Sequence, residues 1–228
     1  MNDTKSYLQT LPFWKDLTEM EQQEIENAVY FRHFEPATLI YGNGEESLGM
    51  MYILSGAVRA FLLSDEGREV TLYRLQQDDM TILSPSSVIS QVSFETYMVS
   101  TEPTDVLMIP TAEYSDLMER NIHVRCFTYE LVANRFSVTM WVLQQILFAR
   151  FDQRLATFLL EEYGRTGSPE ICMTQEHIAE YVNSAREVVA RMLKRFASDG
   201  LIENHRGVIE LKDIPALQKL TGVQPQST

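Results

Sequence analysis

Residues 173–196 read MTQEHIAEYVNSAREVVARMLKRF, and this stretch decides the fold of the C-terminal third of the chain. Thr174 is a favourable N-cap for a short helix, whose apolar positions are Ile178, Ala179 and Val182. Asn183 tolerates the left-handed backbone that a tight turn requires. A second helix follows, and its apolar positions share one face: Val188, Val189, Met192, Leu193 and Phe196. Two helices joined by so short a turn match the helix-turn-helix pattern, whose second helix enters the major groove of DNA.

The residues after the second helix indicate a wing. Gly200 is a typical helix terminator. Residues 201–203 and 208–211 are short apolar runs on either side of His205-Arg206-Gly207, which is a typical turn sequence. We therefore predict a β-hairpin beside the helix-turn-helix.

The exposed side of the second helix carries residue types that read base edges. Arg186 and Arg191 lie five residues apart, and a guanidinium can make a bidentate contact to O6 and N7 of guanine. Glu187 can accept from the N4 amine of cytosine; alternatively, if Ser184 is the N-cap, Glu187 takes the third position of a capping box. Lys194 and Arg195 are assigned to phosphates or solvent, and Thr174, Gln175 and Arg206 to the DNA backbone.

Composition limits where nucleic acid can bind. The formal net charge of -13 disfavours nonspecific binding over the whole surface, so a local basic patch is required, and Arg186, Arg191, Lys194 and Arg195 supply one. No apolar run reaches the roughly 20 residues of a membrane span, and the N-terminus is too polar for a signal peptide. We expect a cytoplasmic protein without a membrane partner. Cys126 and Cys172 have no disulfide or metal spacing and are expected to be reduced, partly buried thiols.

The sequence of the N-terminal part indicates helices followed by strands. Residues 1–28 indicate short helices, one of them capped by Thr18. Residues 30–110 contain short apolar runs separated by turn residues, among them 39–41, 51–54, 58–63 and 70–75. The last two runs flank Ser64-Asp65-Glu66-Gly67 and predict a hairpin. This spacing is typical of an antiparallel sandwich or barrel.

A long helix is predicted at about 113–149, because no Gly or Pro occurs between Thr111 and Tyr163. Residues spaced alternately by three and four form a heptad seam that we assign to a dimer interface: Val124, Phe127, Leu131, Asn134, Val138, Trp141, Gln145 and Phe148. Asn134 and Gln145 favour a second copy, because isolated polar residues in a seam can fix its register. The alternative is a helix packed on its own barrel. The seam stops near 150, which divides the chain into domains 1–149 and 150–228.

These motifs resemble the Crp-Fnr family of bacterial regulators over nearly the whole chain. The similarity is strongest at Thr174-Gln175, Ile178-Ala179, Arg186-Glu187, Arg191 and Gly200-Leu201-Ile202, and continues at 53–58, 65–69, Glu102-Pro103 and Ile109-Pro110. The resemblance implies an α+β protein with an N-terminal antiparallel jelly-roll barrel of the cyclic-nucleotide-binding type, a long dimerisation helix and a C-terminal winged helix-turn-helix. It implies a homodimer on a palindromic operator, with RNA polymerase as a partner if the regulator activates.

The resemblance also assigns the DNA contacts. Arg186, Glu187 and Arg191 match the family's trio for a TGTGA-like half-site, and Ala190 lies on the same helix face. Ala185 stands where the family usually has serine, which places one phosphate contact in question or moves it to Ser184.

The effector region departs from the family. Cyclic-nucleotide-binding members hold the phosphate with an arginine, but residues 79–97 contain no Arg or Lys, so an anionic nucleotide would lack a cationic partner there. An iron-sulfur sensor is excluded because the first 120 residues contain no cysteine. We predict a pocket for a neutral or weakly polar effector, lined by Met80, Ile82, Leu83, Ser84, Ser86, Ser87 and Val88, with Thr128 and Asn134 from the long helix.

Several alternatives stay open at this stage. Haem held by His33, His123 or Met80, a redox switch at Cys126, and a regulator without effector are minority hypotheses. A cupin-type enzyme needs clustered histidines, but His33, His123, His177 and His205 are scattered, so we expect neither an enzyme nor a catalytic metal. A C-terminal domain that binds protein is disfavoured by Arg186 and Arg191. In the hypothesis that we favour, effector binding shifts the seam helix and rotates the DNA-binding domains about residues 150–152.

Overall fold

A computed structural model describes residues 2–42, 49–83 and 96–221. The chain forms two compact units: the first comprises Met1–Arg68 and Leu72–Met140, and the second comprises Glu69–Thr71 and Trp141–Thr228. No helix in the described part of the chain is both long enough and apolar enough to cross a bilayer.

The first unit begins with helices and continues as strands, as the sequence predicts. Helices α1 (Asn2–Leu8) and α2 (Glu19–Ala28) flank a short 3₁₀ turn at Trp14–Asp16. Thr18 caps α2 in a capping box with Glu21. The strands are β1 (Tyr30–Phe34), β2 (Leu39–Tyr41), β3 (Gly49–Ser55), β4 (Ala57–Leu63), β5 (Glu69–Gln76), β6 (Met80–Leu83), β7 (Tyr97–Ser100) and β8 (Thr104–Ile109).

The strands form two antiparallel sheets with the orders β1-β8-β3-β6 and β2-β7-β4-β5. Both contribute alternate side chains to one buried cluster: Phe34, Met51, Ile53, Leu83, Val106 and Met108 from the first, and Ile40, Tyr41, Val58, Ala60, Leu75 and Met98 from the second. The predicted jelly-roll fold of the cyclic-nucleotide-binding type is confirmed.

The opposite face of the first sheet is covered by helices. Met50, Tyr52, Ile82, Leu107 and Ile109 from the sheet form a second cluster with Leu8, Phe13, Trp14, Ile25 and Tyr114. Successive side chains of β6 therefore lie on opposite faces of the sheet: Ile82 contacts the helical layer, whereas Leu83 lies between the sheets.

The single helix predicted at about 113–149 is wrong at its start. The structure has α3 (Thr111–Arg120) and α4 (Ile122–Phe148), with Asn121 in an extended conformation between them. The Asn121 Oδ1 accepts hydrogen bonds from the backbone N–H groups of His123 at 3.0 Å and Val124 at 3.4 Å. Asparagine can break a helix without Gly or Pro, because its side chain satisfies the first N–H groups of the following helix.

The second unit contains a helical layer and a small sheet. Its helices are α5 (Phe151–Thr166), α6 (Gln175–Tyr181), α7 (Arg186–Ser198) and α8 (Ile214–Leu220). Strands β9 (Glu170–Ile171), β10 (Ile202–His205) and β11 (Val208–Leu211) pair in the order β10-β11-β9. Leu155, Leu159, Ile178, Leu193, Phe196 and Ile209 are among the residues of its core.

Candidate nucleic-acid interface

The helix-turn-helix predicted from residues 173–196 is present. The hydroxyl oxygen of Thr174 accepts a hydrogen bond from the His177 N–H at 3.2 Å and caps α6. Asn183 has φ 51, which is the left-handed conformation that the tight turn requires. The turn from α6 to α7 comprises only residues 182–185, so both helices pack on the same core.

Helix α7 has a polar face that is distinct from its buried apolar residues. Val189, Leu193 and Phe196 are buried. Arg186, Glu187, Arg191 and Lys194 are exposed and Ala190 is half-buried, a set that recurs at the spacing of one helix face. With 13 residues, α7 is about 20 Å long. A helix of this size fits the major groove.

The charged groups on this face have no ion-pair partner among the described residues. None of the residues that the structure describes forms an ion pair with Arg186, Arg191 or Lys194. Arg195 differs, because its Nε lies 3.6 Å from a carboxylate oxygen of Asp199. Three cations on α7 are thus available to an external anion.

The capping-box alternative for Glu187 is wrong. The N-cap of α7 is Ala185, which has no side-chain acceptor, and the Ser184 N–H instead donates to the Ala179 carbonyl at 3.0 Å. Glu187 therefore lies in the first turn of α7 without a capping role, and its carboxylate is exposed. The first turn keeps N–H groups that no side chain caps.

Strands β10 and β11 form the predicted wing. They pair from Ile202↔Leu211 to His205↔Val208, and Arg206 lies exposed at the tip, before Gly207 with φ 81. Ligand atoms of Glu203, His205 and Glu210 approach within 4.8 Å of one another. The Lys212 ammonium lies 3.3 Å from Glu203 and 2.8 Å from Glu210, and its hydrogen bond lowers the pKa of the Glu203 carboxyl. The lysine thus already supplies these carboxylates with a cation.

Charge is distributed unevenly along the chain. Residues 150–228 contain ten of the nineteen Lys and Arg residues and eleven of the thirty-two acids, so most of the negative charge lies in residues 1–149. A segment close to neutral that concentrates its free arginines on one helix can approach a polyanion despite the net charge of -13.

The structure removes Val124 from the predicted dimer seam. Val124 is fully buried in its own unit, and Phe127 and Leu131 pack against the same cluster. This face of α4 thus packs on its own domain, which was the alternative interpretation of the seam. Asn134, Val138 and Trp141 are exposed, and Gln145 is half-buried.

A different stripe of α4 is exposed along its length, and we call it the α4 stripe. Its positions alternate by three and four and lie two residues after the predicted seam, or about 200° around the helix. The stripe comprises Cys126, Tyr129, Ala133, Phe136, Met140, Leu143 and Leu147. Phe136 is 60% exposed and Leu147 is 62% exposed.

The predicted effector pocket is partly redrawn. Ser84, Ser86, Ser87 and Val88 lie outside the described residues. Met80 and Ile82 pack with the helical layer, and Leu83 lies between the sheets.

The two α4 residues predicted for the pocket differ in their surroundings. Thr128 is buried, donates to the Val124 carbonyl at 2.8 Å and accepts from the Tyr114 hydroxyl at 2.8 Å, so its polar contacts are satisfied internally. Asn134 is exposed. Thr128 is therefore removed from the pocket prediction.

One cation near the pocket was missed. The Arg135 guanidinium of α4 donates to the Met80 carbonyl at 2.9 Å and lies 5.1 Å from the centroid of the Tyr73 ring. Arg135 is remote in sequence from residues 79–97, so a search of that segment could not find it. The lack of a cation in the segment does not mean that its surroundings lack one.

The histidines and the cysteine named in the alternative hypotheses, His33, His123 and Cys126, lie at the surface. The His33 Nδ1 lies 2.7 Å from a carboxylate oxygen of Asp105, and this hydrogen bond raises the pKa of His33. The His123 Nδ1 lies 3.9 Å from Asp16. Cys126 and Cys172 are free thiols and exposed, so the expectation of partly buried thiols is wrong.

Two family models match the chain: the cyclic nucleotide-binding domain over residues 31–121 and the Crp-like helix-turn-helix domain over residues 153–220. A crystal structure from Eubacterium rectale, of a protein assigned to the Crp/Fnr family of transcriptional regulators, is 37% identical and has a TM-score of 0.87. The match covers 93% of this chain and 99% of that one.

Curated proteins agree with this result. The transcriptional activator protein anr of Pseudomonas aeruginosa is 25% identical over 206 residues, which are 85% of this chain and 81% of that protein. The cAMP-activated global transcriptional regulator CRP of Haemophilus influenzae is 25% identical over 182 residues, which are 76% of this chain and 80% of that protein.

Proposed function

The chain belongs to the Crp/Fnr family of transcription regulators, and we propose that it binds a palindromic operator as a homodimer under the control of a small effector. The observation that supports the DNA-reading part is the exposed face of α7, where Arg186, Glu187 and Arg191 have no side-chain partner within the part of the chain that the structure describes. Each arginine suits guanine, and Glu187 suits cytosine.

Backbone contacts come from the rest of the second unit. We assign Lys194 and Arg206 to phosphates, because both are exposed cations, one on α7 and one at the tip of the wing. Thr174, Gln175 and Ser184 add polar groups at the start of α6 and in the turn, and Ala185 and Ala190 allow close approach of the helix. These contacts position the protein, whereas α7 reads the sequence.

Dimerisation is assigned to the α4 stripe and not to the seam predicted from the sequence. The stripe contains Cys126 and six apolar residues with heptad spacing. It lies on the side of α4 that does not pack on its own domain. Such a stripe has the spacing that two parallel helices need to interdigitate. A second copy also places two recognition helices on one duplex, as a palindrome requires.

The effector site is assigned to the first unit, which has the fold of the cyclic nucleotide-binding domain. A relative is named for activation by cAMP, but residues 79–97 of this chain lack the arginine with which the family holds a cyclic phosphate, and the nearby Arg135 comes from α4 and not from that segment. We therefore propose an effector other than a cyclic nucleotide. A regulator of this kind acts in the cytoplasm and, if it activates, contacts RNA polymerase.

Selection from a pool of random duplexes tests the proposal. The purified protein is expected to enrich a palindrome with guanine in each half-site, and the variant Arg186→Ala/Arg191→Ala is expected to lose this enrichment. Arg195→Ala is the matched control, because Arg195 lies on α7 but is paired with Asp199. Equal enrichment by wild type and the double variant would show that α7 does not read the bases.

A further inference from the structure

Arg135 is a cation of α4 that lies against the strands of the first unit. Its guanidinium contacts the start of β6 through the Met80 carbonyl and lies over the ring of Tyr73 on β5. Its side chain is 22% exposed. Long cationic side chains usually extend into solvent. The burial of the Arg135 side chain therefore indicates a specific role.

The hydrogen-bonding capacity of Arg135 is only partly used. Its Nε is buried and has no hydrogen-bond partner among the described residues. A carboxylate oxygen of Asp79 lies 3.6 Å from Nη2 and forms an ion pair with the guanidinium, although this distance is too long for a hydrogen bond. The other oxygen of Asp79 already accepts from the Gln76 N–H at 2.9 Å, so Asp79 serves its own turn. A buried N–H without an acceptor is costly and marks a place where an external acceptor would be favourable.

The free donors have the geometry of an anion receptor. Nε and Nη2 form one edge of the guanidinium fork; Nε has no acceptor among the described residues, and Nη2 donates one hydrogen bond, to the Met80 carbonyl. A carboxylate fits such an edge with two parallel hydrogen bonds. The fork therefore selects a planar, negatively charged group.

The surroundings of Arg135 suit an apolar body behind the charge. Tyr73 contacts the cluster between the sheets, and burial raises the pKa of its hydroxyl, which keeps it neutral. Leu75 and Leu83 belong to the same apolar cluster. Apolar surroundings of this kind favour an apolar group over a second charge.

We propose that the effector is a small organic acid whose carboxylate is bound by Arg135. This inference rests on the proposed effector site in the first unit and revises the neutral ligand expected from residues 79–97 alone. Arg135 directly precedes Phe136 of the α4 stripe, so an acid that engages the guanidinium also acts on the helix assigned to the dimer. The acid thereby has a physical route to the interface.

Matched acids and amides test the charge requirement. Benzoate and octanoate are compared with benzamide and octanamide by titration calorimetry and thermal unfolding of the full-length protein at constant ionic strength. At least one acid is expected to bind about tenfold or more tightly than its amide, because charge-assisted hydrogen bonds are the strong ones. Equal binding of each acid and its amide, or binding of neither, overturns the proposal.

Substitution of the arginine assigns the effect. Arg135→Gln is expected to abolish the preference for the acid, and Arg135→Lys is expected to retain part of it, since the charge remains but the fork is lost. Arg68→Gln, at an exposed position in the β4–β5 turn, is the control and should bind as wild type. An acid preference that persists in Arg135→Gln overturns the assignment. DNA selection is measured on the same variant, so loss of acid binding with retained operator binding separates this inference from the proposed function.

Discussion

Leu143→Asp is expected to dissociate the dimer. Leu143 lies on the α4 stripe and is 44% exposed. Burying a whole leucine side chain contributes about 1.5–3 kcal/mol, so the exposed fraction corresponds to about 1 kcal/mol per copy and about 2 kcal/mol per dimer. Two carboxylates that face each other in a desolvated interface add several kcal/mol of repulsion. A total of about 5 kcal/mol raises the dimer Kd by about three to four powers of ten.

Sedimentation equilibrium of wild type and variants measures this Kd, and circular dichroism verifies that each variant is folded. Asn134→Asp is the matched control: it adds the same charge at an exposed, nearly isosteric position of the seam predicted from the sequence. If the α4 stripe forms the interface, Leu143→Asp dissociates and Asn134→Asp changes the Kd by less than about tenfold. Dissociation by Asn134→Asp with an intact Leu143→Asp dimer would refute the assignment and restore the original seam.

Three further predictions concern the wing, a helix end and a surface ion pair. Arg206→Ala should weaken binding to all duplexes alike and reduce the salt slope of log K by about 1, as filter binding over a salt series can measure. Gly164→Ala, in the interior of α5 with open space for a Cβ, should stabilise by about 0.5–1 kcal/mol, whereas Gly167→Ala, at φ 67, should destabilise by about 1 kcal/mol, both measured by urea unfolding. Hydrogen bonding between the two side chains lowers the pKa of Asp105 below 3.8 and raises the pKa of His33 above 6.5. Asp105→Asn should therefore destabilise the protein between pH 3.8 and pH 6.5, and this destabilisation should decrease as the pH rises through the pKa of His33. NMR titration can determine that pKa.

The features that local sequence determines were predicted well. Thr174 as a cap, Asn183 in the left-handed region and the hairpin around Gly207 each depend on a few neighbouring residues, and the structure has all three. The same local reasoning was wrong where two residues compete for one role. Ser184 is the better N-cap by residue type, but the chain begins α7 one residue later, after Ala185.

Tertiary packing decided what local patterns could not. Val124 and Thr128 are buried on one side of α4, while Phe136 and Leu147 are exposed on another, so the helix has apolar residues on several sides. A helix of this kind fits more than one heptad register, and only the position of its own domain removes one of them. The break at Asn121 has a related cause, since its side chain caps the next helix, which the sequence pattern alone did not indicate.

The positions of Arg135 and of the α4 stripe are related because both belong to one helix. Consecutive residues of a helix lie 100° apart, so a helix that contacts its own sheets through residue 135 must present residue 136 to a different side. Helix α4 thus contacts the core of its own unit, the proposed effector site and the proposed partner copy through different sides. These three contacts account for the wide apolar surface that fits more than one heptad register. A substitution that alters acid binding at residue 135 without altering the dimer Kd would show that these contacts are independent, whereas a change in both would make α4 the physical link between signal and DNA.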